Sequence, residues 1–167
     1  MFSVVFPGQG SQIVSMGKDI YVKYDLIKRL FKEADDVLGY KISKIILEGP
    51  KKDLDITSNT QPAIFLISYS IFKLIKENFN LNLFKAKYFA GHSLGEYSAL
   101  ACSEAIDFAD TLKILKKRGE AMQNSVQQGT GGMMAVLGSK VEDLKKIIEE
   151  NKELKVYIAN DNSEGQT

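Results

Sequence analysis

A chain of 167 residues, 44% hydrophobic and 26% charged, has room for a sizeable core and the composition of an ordinary globular protein. Its 22 Lys and Arg nearly balance 21 Asp and Glu, so the net charge is +1; this excludes a global electrostatic pull toward nucleic acid or anionic lipid. One cysteine, Cys102, excludes an intrachain disulfide and fits a reduced, cytoplasmic setting.

Residues 2–6 are apolar, but Pro7-Gly8 ends the run too early for a secretory signal. Phe2 to Phe6 reads instead as a short buried strand closed by the turn Pro7-Gly8-Gln9-Gly10-Ser11. Leu26, Leu30, Phe31, Ala34 and Leu38 recur at helical spacing and predict a helix over 25–38, stopped by Gly39. Ile42 to Leu54 reads as short helical turns broken by Gly49-Pro50. Thr60 is then expected to cap a long helix with Pro62 in its first turn and Ile64, Ile67, Ile71, Leu74 and Ile75 on its apolar face. The run Ala63 to Ile75 is too short to span a bilayer and is followed by Lys76 and Glu77.

Tyr88-Phe89-Ala90 predicts a strand feeding Gly91-His92-Ser93-Leu94-Gly95, with a helix following at once. The next helix starts near Asp107, its apolar face stepping through Phe108, Leu112, Leu115, Gly119, Met122 and Val126. Gln127 to Gly132 is a polar, glycine-rich break. Beyond it the pattern predicts a strand at 133–137, a helix at 141–150 and a strand at 155–159. Strands alternating with helices argue for an α/β fold with parallel pairing. The expected organisation is a larger subdomain over 1–127 and the start of a smaller one over 128–167.

Gly91 to Gly95 fits G-x-S-x-G between a strand and a helix. A serine there sits on a strained turn, with glycines where side chains would clash. Its oxygen projects at a helix N-terminus, where the N–H of Leu94 can help hold an oxyanion. The same pattern also describes a plain turn whose serine caps the helix. His92 is the only histidine, but neighbouring side chains at a tight turn point apart, so it is poorly placed to take the Ser93 proton. The general base is then absent from this chain, or is not histidine. Arg118 closes the basic run Lys116-Lys117-Arg118, yet lies between Leu115 and Met122 at the border of the apolar face, which suits a side chain entering a pocket. Cys102 reads as a packed, inert thiol, and Asp35-Asp36 and Glu149-Glu150 as solvated helix surface; candidate metal ligands are lacking.

Phe6 to Gln12, Asn59 to Ala63, Gly91 to Tyr97, Arg118-Gly119 with Met122-Gln123, and Asn160 to Gln166 occur in one order along the chain. In these segments the sequence resembles the malonyl-CoA:acyl-carrier-protein transacylases. Glu164 departs from the proline expected in the last of them. The resemblance implies an α/β-hydrolase-like subdomain with a parallel sheet and a small ferredoxin-like one. It implies that Ser93 carries the acyl group as an ester, with the backbone N–H groups of Gln9 and Leu94 as the oxyanion hole. It also implies that Arg118 holds the malonyl carboxylate in a charge-assisted pair. The partners implied are malonyl-CoA and the phosphopantetheine thiol of acyl carrier protein, with no cofactor, no metal, no nucleic acid and no membrane, in a protein that is monomeric when full length and supplies fatty acid synthesis. Family members carry their catalytic histidine further along, so the chain is expected to be a fragment of a longer protein. Three other readings stay open: a serine esterase on the same fold, a non-catalytic module that docks acyl carrier protein, and one domain of a larger synthase.

Overall fold

In the computed structural model, which describes residues 1–79, 81–125 and 131–167, the first unit carries a two-stranded sheet. Its strands, of which residues 2–6 are expected from the sequence to be buried, are largely exposed apart from Phe6. β1 (Ser3–Phe6) and β2 (Tyr88–Gly91) pair in parallel, with Ser3 opposite Tyr88 and Phe6 opposite Gly91. Parallel strands require a long crossover. Here it consists of α1 (Lys18–Lys23), α2 (Asp25–Leu38), α3 (Ile42–Glu48), α4 (Lys51–Leu54) and α5 (Thr57–Asn78). After β2 come α6 (Leu94–Cys102), α7 (Phe108–Ser125) and α8 (Val141–Glu150). The fold is α/β.

The main core lies among the helices. Ile27 and Phe31 of α2, Ile42 and Ile46 of α3, Phe65 and Leu66 of α5, and Leu112 and Leu115 of α7 are fully buried together. Each such side chain contributes about 1.5–3 kcal/mol relative to exposure. A smaller cluster of Phe6, Phe72, Leu83, Ala99 and Cys102 packs against the sheet, with Val4 and Phe89 at its edge.

α2 runs over the residues its periodicity predicts, and Gly39 ends it at φ 75° with its N–H on the Asp35 carbonyl at 2.9 Å. Asp35, expected on solvated surface, is buried. Its carboxylate accepts from the Ser43 N–H at 2.9 Å and the Ser43 hydroxyl at 2.7 Å, so it serves the first turn of α3.

The long helix begins at Thr57, not after Thr60. The Thr60 hydroxyl donates back to the carbonyls of Leu54, at 2.6 Å, and Ile56, at 3.1 Å, instead of capping. Pro62 therefore falls in the second turn. Ile71, placed on the apolar face by periodicity, is exposed, while Ala63, Phe65, Leu66 and Phe72 are buried, so α5 buries a broad band and not a narrow stripe. No helix among the described residues is long and apolar enough to cross a membrane.

The chain divides into two compact units, Met1–Gln127 and Gln128–Thr167. In the second, α8 forms where its amphipathic pattern predicts it. The strands expected at 133–137 and 155–159 do not form. Instead, Val136 and Thr167 exchange backbone hydrogen bonds at 2.9 and 3.1 Å, and Gly138 donates to Gly165 at 2.7 Å. Met133, Met134, Val156 and Tyr157 are exposed among the described residues. A β-prone sequence needs a ladder partner and a surface to cover. Most of the break expected at 127–132 lies outside the described residues.

α5 and α7 cross at Gly119. A Cβ there would stand 2.6 Å from Ser58 Cα and 2.7 Å from the Thr57 carbonyl oxygen, both backbone atoms. Replacing glycine by alanine in a helix gains about 1 kcal/mol of propensity. Overpacking against backbone costs about 1–3 kcal/mol. Gly119→Ala is expected to lower the denaturant midpoint of the protein carrying this chain. A raised midpoint would show that the two helices can part without cost.

Candidate active site

The sheet ends in a turn that only certain residues tolerate. Ser93, between β2 and α6, has φ 54° and ψ −107°. This positive-φ conformation costs a residue with a side chain about 1–3 kcal/mol and persists only where its surroundings impose it. The surroundings are close backbone contacts. A Cβ on Gly91 would fall 2.0 Å from the Gly95 carbonyl carbon, and one on Gly95 would fall 2.6 Å from the Phe6 carbonyl oxygen. The Gly95 N–H closes the turn on the His92 carbonyl at 2.9 Å, and the Glu96 N–H closes on that of Ser93 at 3.1 Å. Leu94 is the first residue of α6, so its N–H belongs to the unpaired donors of the helix N-terminus.

The Gly8–Gln12 loop follows β1 and lies against this turn. The Gly8 backbone approaches so closely that a Cβ there would stand 2.6 Å from His92 Nδ1 and 2.9 Å from the His92 carbonyl oxygen. The His92 ring thus packs on the backbone of Gly8. Gln9 stands at the exposed end of this loop, its side-chain amide 3.5 Å from the Thr57 hydroxyl.

Arg118 reaches the turn from α7. Its Nη2 donates to Ser93 Oγ at 2.9 Å, and its Nη1 donates to Gln61 Oε1 at 2.7 Å. The guanidinium also lies 5.7 Å from the ring of Tyr97 on α6, within cation–π range. Ser93 and Arg118, singled out separately from the sequence, are thereby in direct contact. Gln61 was not assigned a role from the sequence. It is fully buried, and its amide nitrogen contacts Met122 Sδ at 3.2 Å. The available signal was a glutamine one turn before the buried Ile64 and Phe65 in an otherwise apolar helix. A polar group in such a place requires a partner. Met122, expected in the core, is exposed.

The arrangement joins a strained hydroxyl, a helix N-terminus and a cation anchored by a buried amide. Such a set suits a nucleophile next to a negatively charged substrate group. Among the described residues no group of three or more His, Cys, Asp or Glu could hold a metal ion.

Comparison with known proteins identifies the family. The acyl transferase domain family matches residues 3–167, and the chain belongs to that family. It is 42% identical over 166 residues to the malonyl CoA-acyl carrier protein transacylase of Haemophilus influenzae, covering 99% of this chain and 53% of that protein. The crystal structure of acyl-carrier-protein-S-malonyltransferase from Bartonella henselae superposes with a TM-score of 0.92 at 41% identity, covering 99% of this chain and 54% of that one. A malonyl-transacylase in complex with its type II PKS acyl-carrier protein gives 0.91 at 38% identity, covering 99% of this chain and 53% of that one. The chain spans about half the length of the curated relatives it matches.

Cys102 lies in α6 but points into the core. Burial pushes its thiol from 9.0 up to about 12. An unfolded chain ionises this thiol near 9.0, so the contribution to stability is complete below that pH and is lost as pH rises toward about 12. Alkylation of Cys102 near neutral pH is expected to be slow in the native protein and fast in denaturant. Equal rates would show a reachable thiolate in the native protein.

Proposed function

We propose that the protein is a malonyl-CoA:acyl-carrier-protein transacylase and that these residues supply its nucleophile and its carboxylate site. The observation that carries this is the 2.9 Å contact from Arg118 Nη2 to Ser93 Oγ on the strained turn. An esterase acting on neutral substrates has no use for a cation fixed beside its nucleophile. A three-carbon diacid thioester does, because its free carboxylate lies a few bonds from the carbonyl under attack.

In this reading Ser93 Oγ attacks the thioester carbonyl of malonyl-CoA. The oxyanion that forms is held by the N–H groups of Gln9 and Leu94. Loss of one such donor costs about 2.7–4 kcal/mol in comparable sites. Collapse breaks the C–S bond, and coenzyme A leaves as a thiolate that takes up the proton given up by the Ser93 hydroxyl. The phosphopantetheine thiol of acyl carrier protein then attacks the Ser93 ester, which releases the malonyl thioester and restores the hydroxyl. Arg118 pairs with the malonyl carboxylate through the edge that Gln61 leaves open. No cofactor enters the scheme. The general base is assigned to none of these 167 residues: His92, the only histidine, packs on Gly8 beside the serine it would have to serve. In the cell this chemistry supplies malonyl thioesters for fatty acid synthesis in the cytoplasm, from a monomeric enzyme.

Intact-mass spectrometry after mixing the protein with malonyl-CoA is expected to show one malonyl adduct, absent in Ser93→Ala. An adduct that survives the substitution would place the nucleophile elsewhere. Arg118→Ala is expected to lower kcat/KM for malonyl-CoA far more than for acetyl-CoA, on the scale of about 1.5–3 kcal/mol for a hydrogen bond to a charged group. Equal losses for both thioesters would make Arg118 a structural residue.

A further inference from the structure

The loop that carries Gln9 is exposed and short of apolar contacts, yet an oxyanion donor must be held to within a fraction of an ångström. Inside the loop, the Ser11 hydroxyl donates to the Gly8 carbonyl at 2.9 Å. The Gly10 N–H donates to Gln12 Oε1 at 2.8 Å. Both bonds shape the loop without fixing it to the rest of the molecule. Two side chains tie the loop outward: Gln9 Nε2 reaches the Thr57 hydroxyl at 3.5 Å, and the shorter bond comes from the other end of the Gln12 amide, whose Nε2 donates to Asp55 Oδ1 at 2.9 Å. Asp55 ends α4, just ahead of α5, and its second oxygen is bonded by Lys51. The Lys51 and Gln12 hydrogen bonds hold the Asp55 carboxyl below the usual carboxylate range, so it is ionised wherever the protein is folded near neutral pH.

We propose that Gln12, oriented by Asp55, is the positioning residue of the oxyanion loop, coupling the backbone of Gly10 to the α4–α5 junction. This rests on the acyl-transfer reading above. The amide suits the task because one end accepts and the other donates. The Gly10 N–H requires an acceptor and the Asp55 carboxylate requires a donor, so neither a carboxylate nor an ammonium at position 12 satisfies both. The same junction leads into the helix whose Gln61 anchors Arg118. The oxyanion loop and the carboxylate site are thereby registered on one element.

The test reverses the polarity of the tie. In the protein carrying this chain, Gln12→Glu keeps the acceptor for Gly10 but sets a carboxylate against Asp55. Asp55→Asn keeps an acceptor for the Gln12 amide. The double variant Q12E/D55N restores one donor facing one acceptor. The readout is the single-turnover rate of malonyl-ester formation at Ser93 as a function of malonyl-CoA concentration. Gln12→Glu is expected to lower the maximal rate by about 10- to 100-fold, the scale of a misplaced catalytic group, with half-saturation little changed. Asp55→Asn, which keeps one acceptor for two donors, is expected to lose less than Gln12→Glu, and the double variant to regain most of the lost rate. An unchanged rate in Gln12→Glu, a loss that lies wholly in half-saturation, or a double variant no better than Gln12→Glu would overturn the proposal. Gln12→Ala, which introduces no charge, is expected to show the same loss in maximal rate, and wild-type behaviour in that variant would overturn it as well. A wild-type protein that forms no ester at Ser93 would refute the acyl-transfer reading itself, a separate outcome from any of these.

Discussion

One guanidinium spans the distance between a buried amide and an exposed hydroxyl, and the site is arranged around it. Arg118 holds Gln61 with Nη1 and Ser93 with Nη2. Gln61 has no exposure to solvent, so its carbonyl requires a donor, and leaving it unpaired would cost about 1–3 kcal/mol. That requirement fixes the arginine more firmly than any surface pair could. For Nη2 to reach Ser93, α7 must lie close to α5, and the crossing at Gly119 leaves no space for a side chain. The arginine and the glycine beside it thus act as one device. The glycine brings the helices together, and the arginine uses the resulting reach.

The serine side of the contact depends on backbone in the same way. Gly91 and Gly95 let α6 start immediately after β2, with its first turn against the end of β1. The strain at Ser93 is the local consequence, and the helix packing sustains it. Leu94, the residue that offers the N–H, is itself a fully buried side chain of the main core, so the donor is anchored by packing. Gln9 has no such anchor. The two proposed oxyanion donors are therefore held by different physics, one by apolar burial and the other by a chain of exposed hydrogen bonds.

Legibility in the sequence followed the range of the interactions. α2 was readable because its apolar stripe and its glycine stop are local. The turn at Ser93 was readable because strand, glycines and helix lie within a few residues. Thr60 was misread because a threonine before an apolar run looks the same whether its hydroxyl caps forward or bonds backward; the choice depends on where the Leu54 carbonyl lies. The strands expected at 133–137 and 155–159 failed because propensity supplies no partner, whereas the pairing of Val136 with Thr167 depends on distant residues. Gln61 and Arg118 meet across 57 positions of sequence, and no local pattern announces such a bond.

Magnitudes also separate the polar groups that hold the site from those that only decorate the surface. Lys28–Asp25 and Lys113–Asp110 are exposed ion pairs, screened by solvent and contributing little. They can be lost with little effect on the fold. Asp35 and Gln61 are different, because each is buried and each organises a neighbouring element. Asp35 receives two donors from Ser43 at the start of α3, and Gln61 receives the Arg118 guanidinium. Asp35 holds the start of α3, with Lys41 as a further partner at 3.4 Å. Gln61 has a second consequence, since the cation it fixes stands against the hydroxyl of a strained serine. Burial forces each of these side chains to be paired, and the site exists because one obligatory partner is also a group that can bind substrate.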